Sequence, residues 1–147
     1  MRLKMKWMLK FLVVLFLLPS FSFAQSMAAG QWSAQASFKL NGIPMPPSHS
    51  EECIAADKAK DAKATIEKSL ERDSCRLTDW SIKKGKLNAK VSCKNDSYEA
   101  NGELSGLFDR KSYDLAGDIQ GTHKMFGKAK ASVEFSGRWT GPCQGKN

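Results

Sequence analysis

Four cysteines and two histidines are the residues of this chain with the most latent chemistry, because thiolates and imidazoles bind metals, exchange disulfides and move protons. Their spacing argues against such uses. Cys53, Cys75, Cys93 and Cys143 are widely separated, no Cys-x-x-Cys occurs, and His49 and His123 fall in loops or at strand ends. An even number of cysteines without metal-ligand spacing reads as two structural disulfides formed in an oxidising compartment. The carboxylates offer no acid-base pair either, since they alternate onto the wet faces of strands or sit in one helical segment. Asp79 beside Trp80 is the only acid near an apolar face, and there is no glycine-rich phosphate loop. The expectation is a chain with no catalytic residue, no cofactor and no metal site, which makes an enzyme the weakest functional class.

The compartment is set by the first 24 residues. Arg2, Lys4, Lys6 and Lys10 precede the apolar run Phe11 to Leu18, Pro19 and Ser20 break it, and Ser22 and Ala24 are the small residues a signal peptidase reads. This is the pattern of a secretory signal cleaved before Gln25. The alternative, an uncleaved anchor, is disfavoured because the apolar run is well short of the ~20 residues a membrane-crossing helix needs. No cysteine follows the cleavage point, which argues against a lipid anchor there. The remaining 123 residues, 25–147, suffice for one domain. The signal holds four of the 23 basic residues and none of the 15 acidic ones, so the exported part has a net charge of +4 rather than +8. Much of the basicity belongs to the signal, and nucleic acid is excluded as the expected partner.

The hydrophobic pattern has the period of strands. Leu87, Ala89, Val91 and Cys93 share one face, as do Trp80 and Ile82, with Leu77 and Cys75 in phase after a one-residue slip. Pairing Ile82 with Leu87 across Lys83-Lys84-Gly85-Lys86 sets Trp80 opposite Ala89. A bulge at Thr78-Asp79 then brings Leu77 opposite Val91 and Cys75 opposite Cys93. Directly opposed strand residues are close enough for a disulfide. Cys75–Cys93 is therefore expected, and Cys53–Cys143 follows by elimination.

Further strands read from Trp32, Ala34, Ala36, Phe38 and Leu40, ended by Asn41-Gly42, and from the apolar faces Tyr98 to Phe108, Tyr113 to Gly121 and Ala129 to Trp139. The proline-rich segment after Gly42 argues against regular structure, and one helix is expected from Ala55, Ala59, Ala62, Ile66 and Leu70. Phe108 opposite Tyr113 sets Gly106 against Leu115, Leu104 against Gly117 and Gly102 against Ile119, so large meets small at each pair. The same register sets Gly117 against Val133 and Tyr113 against Gly137. The expected fold is mainly β: a curved antiparallel meander of about seven strands, a small barrel or half-barrel, with one covering helix and two disulfides. The alternative is a two-layer sandwich with glycines at bulges.

In this order and spacing, "GQWSAQASF", "GIPMPPS", "EECIAADKAKDA", "CRLTDWSIKKGKLNAKVSC" and "FSGRWTGPC" resemble the bacterial envelope proteins grouped as domain of unknown function 3617. The resemblance spans nearly all of the exported part and all four cysteines. It implies a small exported one-domain protein and carries no catalytic residue over. The methionine-proline segment here is shorter than the repeated form typical of relatives.

Two surface clusters are candidates for contact. Lys83, Lys84 and Lys86 are expected at one end of the sheet with Arg110, Lys111 and the Ile43-Pro44-Met45-Pro46 loop, as a cationic rim for an anionic envelope surface or simply as solubilising hairpin ends. At the other end Met125 and Phe126 stand between lysines in a turn, either as a membrane or partner contact or folded back over the core. Trp32, Trp80 and Trp139 have inward parity and read as core. Asn95 to Ser97 matches a glycosylation acceptor but reads first as a turn. The partner classes left open are an apolar small molecule, another envelope protein and an anionic envelope surface. The function classes are a binding or interaction module and, as alternative, a small carrier of an apolar ligand.

Overall fold

The computed structural model describes residues 25–71 and 74–145. The expected signal, residues 1–24, lies outside the described residues.

Eight strands form one antiparallel sheet: β1 (Gly30–Leu40), β2 (Ile43–Pro44), β3 (Ser48–Ile54), β4 (Cys75–Lys83), β5 (Lys86–Lys94), β6 (Tyr98–Asp109), β7 (Ser112–His123) and β8 (Gly127–Gly141). Their order is β2-β1-β8-β7-β6-β5-β4, with β3 also pairing with β1. The sheet is curved and open, with β4 at one margin and β2 and β3 at the other. The eighth strand corrects the expectation for the proline-rich stretch. Asn41 and Gly42 have positive φ, which makes a two-residue hairpin that pairs Leu40 with Ile43 and Lys39 with Pro44. Pro44 is tolerated because the strand is marginal and two residues long.

The single expected helix is two: α1 (Ala56–Ala59) and α2 (Ala62–Leu70). Asp61, extended at φ −120° and ψ 92°, breaks the run and accepts the Ala64 N–H to cap α2. The break also admits the N-terminal segment, whose Met27 N–H donates to the Ala59 carbonyl at 2.8 Å and whose Gln25 carbonyl accepts the Ala62 N–H at 3.3 Å.

The strand registers follow the hydrophobic pattern. Phe108 faces Tyr113, Gly106 faces Leu115, Leu104 faces Gly117, Gly102 faces Ile119, Gly117 faces Val133 and Tyr113 faces Gly137. Two of these glycines show why the pattern matters. A Cβ on Gly106 would run into the Asp114 carbonyl, and on Gly137 into the Tyr113 ring. Neighbouring backbone and ring approach too closely there for any side chain.

Both disulfides form: Cys75–Cys93, with Cα atoms 3.9 Å apart, and Cys53–Cys143, at 5.4 Å. Cys75 faces Cys93 and Leu77 faces Val91, while the bulge falls one residue later than expected, at Asp79-Trp80 opposite Ala89. Asp79 takes positive φ, 49°, and its carboxylate points outward to Lys90 Nζ at 2.9 Å.

The core sits on one part of the apolar face. Leu77, Leu87, Ala89, Val91, Leu104, Phe108 and Leu115 are buried, with Ile66 and Leu70 of α2, Trp80 and Ile82 packed against them. Glu67 of α2 accepts the Leu77 N–H at 2.8 Å, occupying a backbone donor of strand β4.

Candidate interaction surface

The two ends of the sheet carry different residues. One end holds the β4–β5 and β6–β7 turns and the start of β1. The Phe108 N–H donates to the Gly85 carbonyl and joins those two turns, so Lys83, Lys84, Lys86, Arg110 and Lys111 do share an end. That end is closed from within by residues 25–29. The Ala28 N–H donates to the Arg110 carbonyl at 2.7 Å, the Trp139 indole N–H to the Ala29 carbonyl at 3.0 Å and the Trp32 indole N–H to the Ala28 carbonyl at 2.9 Å. Trp32 stacks on Tyr113 with centroids 6.0 Å apart, and the Lys111 ammonium lies 4.3 Å above the Trp139 ring. Burial pushes the Tyr113 hydroxyl above its ordinary pKa, with Glu52 adding to the shift and Arg138 opposing it.

The opposite end holds the β5–β6 and β7–β8 turns and the hairpin between β1 and β2. The Ile43 to Pro46 segment belongs here, not with the lysine rim. β1 is antiparallel to β8, with Leu40 opposite Ala131, so its last residues lie beside the beginning of β8. The simple up-and-down expectation missed this because the helical segment itself travels the length of the sheet, from the end of β3 to the start of β4.

This second end is open. Phe38, Leu40 and Ile43 are on the apolar face of the sheet by register, the Met45 N–H donates to the Phe38 carbonyl at 2.9 Å, and the four residues are 41%, 42%, 66% and 38% exposed. They continue the row of Val133, Ala131 and Ile119 past the last buried residues. Phe38 and Leu40 share the face of Trp32, Ala34 and Ala36 in the strand alternation, but among the described residues no helix reaches over them; α2 packs on β4. Their exposure has no signal in strand periodicity, which assigns a face and says nothing of what covers it.

Met125 and Phe126 do not fold back. They are 81% and 79% exposed at the β7–β8 tip. The tip is ordered: Gly127 takes positive φ, the His123 Nδ1 accepts the Met125 N–H at 3.1 Å, the Phe126 ring lies on the His123 ring at 4.7 Å, and the Lys124 N–H donates to the Ser97 carbonyl. Behind it, on the polar face, Asn41, Gln120, Thr122, Lys128 and Lys130 line an open depression. Asn95 accepts the Ser97 and Tyr98 N–H groups and so acts as a turn residue.

Among the described residues no three His, Cys, Asp or Glu side chains cluster as metal ligands, and no helix is long and apolar enough to cross a membrane. No curated protein and no solved structure matches the chain. A protein family described as a protein of unknown function, DUF3617, matches residues 27–143, which include every strand and both disulfides, and the chain belongs to that family.

Proposed function

We propose that the chain is an exported, non-enzymatic binding module that engages its partner through the open end of the sheet. The observation that supports it is the contiguous exposed apolar row Phe38, Leu40, Ile43 and Met45 on a sheet whose other end is sealed. Large contiguous apolar exposure is where soluble proteins bind partners. Export is supported by the two disulfides and by the basic-apolar leader in the sequence. A carrier that encloses its ligand finds less support. The covered part of the apolar face is filled by side chains such as Leu87 and Val91, at 1% and 3% exposure.

Anilinonaphthalene sulfonate, an apolar fluorophore, tests the reading. Saturable binding by the disulfide-bonded protein is expected, weakened by Phe38→Ser with Leu40→Ser and untouched by Leu107→Ser on the polar face. Absence of binding, or equal loss with all three substitutions, would overturn it.

A further inference from the structure

The open end combines exposed apolar side chains with a cationic flank, and we infer that its partner is an anionic phospholipid surface. The inference rests on the proposed binding end and names what that end meets. Among the described residues, six of the seven exposed large hydrophobic ones lie there: Phe38, Leu40, Ile43, Met45, Met125 and Phe126. A hairpin tip needs only turn residues, and neither Met125 nor Phe126 contributes to the fold's core. The tip nevertheless holds Phe126 outward against His123, with Met125 pinned by its backbone N–H.

Charge complementarity selects the partner. Lys39, Lys124, Lys128 and Lys130 stand around this end, and none of them takes part in an ion pair among the described residues. The nearby acids are partly engaged already: Glu99 pairs with Lys94 at 3.2 Å, and Asp118 accepts the Ser132 hydroxyl at 2.8 Å. Asp96 is the remaining acid in the β5–β6 turn. An apolar tip beside lysines is the arrangement that enters the headgroup layer while the ammonium groups meet lipid phosphates. The depression lined by Asn41, Gln120, Thr122, Lys128 and Lys130 offers two lysines and neutral polar side chains to a phosphate. A protein partner with an acidic rim would meet the same residues, and the vesicle experiment separates the two.

The test is flotation of the exported, disulfide-bonded protein with vesicles of phosphatidylcholine containing phosphatidylglycerol, against vesicles of phosphatidylcholine alone. Co-flotation only with phosphatidylglycerol, weakened by salt, is expected. Met125→Ser with Phe126→Ser should reduce binding about tenfold or more without lowering the thermal midpoint. Lys128→Glu with Lys130→Glu should abolish the preference for the anionic vesicles. Flotation that is absent, or unchanged in both double variants, overturns the inference. If flotation is absent while the fluorophore still binds at Phe38 and Leu40, the lipid partner is wrong and the binding end stands; loss of both removes the two readings together.

Discussion

The sealed and open ends of the sheet are made from strands of the same alternating pattern, yet Leu87 is 1% exposed and Leu40 is 42% exposed. The difference comes from outside the sheet. At the sealed end the segment 25–29 bonds to both the helical break and the β6–β7 turn, and from that break α2 runs along β4, the margin away from β1 and β2. Among the described residues nothing comparable crosses the hairpin between β1 and β2. A sheet of this kind buries only what a second layer covers, so α2, which runs along β4 at one margin, leaves an apolar remainder at the opposite margin, where β1 and β2 lie.

That contrast can be broken most directly by truncation at matched leucines. Leu87→Ala should destabilise the fold by about 2 to 5 kcal/mol, whereas Leu40→Ala should change stability by less than about 1 kcal/mol. Equal losses in denaturant titrations would mean that the open end is covered in solution. Curvature, by contrast, should not distinguish the ends. A Cβ at Gly106 meets the Asp114 carbonyl and one at Gly121 meets the Glu99 carbonyl, so alanine at either should destabilise by roughly 1 to 3 kcal/mol. A neutral Gly121→Ala would show that the open end is flatter than described.

A smaller effect concerns the helix that makes the difference. Glu67→Ala removes the acceptor of the Leu77 N–H and should lower stability by about 1 to 2 kcal/mol. Hydrogen exchange at the Leu77 amide should rise with it, and an unaltered amide would place the docking of α2 elsewhere.

The smallest expected effect is a dependence on alkaline pH that belongs to the sealed end. Tyr113 keeps its proton longer in the folded state than in the unfolded one, because burial disfavours its phenolate. Its contribution is therefore complete below about pH 10 and is lost as pH rises through the raised folded value. Thermal midpoints measured up to pH 11 or so should fall less steeply in Tyr113→Phe. Identical slopes would place the alkaline sensitivity in other groups.

Strand periodicity, glycine placement and cysteine parity together determined most of this protein from sequence alone: the β6–β7 and β7–β8 registers, the β4–β5 register apart from the one-residue displacement of its bulge, both disulfides and the inward parity of the tryptophans. These are local or nearest-neighbour properties. Period two assigns a face, a tight turn fixes the register, and a staple must join opposed residues. The Asn41-Gly42 pair held the signal for β2, which the prolines after it obscured. The helical break at Asp61 became legible only with its partner, the N-terminal segment that uses the freed Ala59 and Ala62 groups. Only the tertiary structure decided which end of the sheet is open and that Ile43 and Met45 lie there with Phe126. Coverage depends on where a helix travels across the sheet, a long-range matter of chain path that no local pattern encodes.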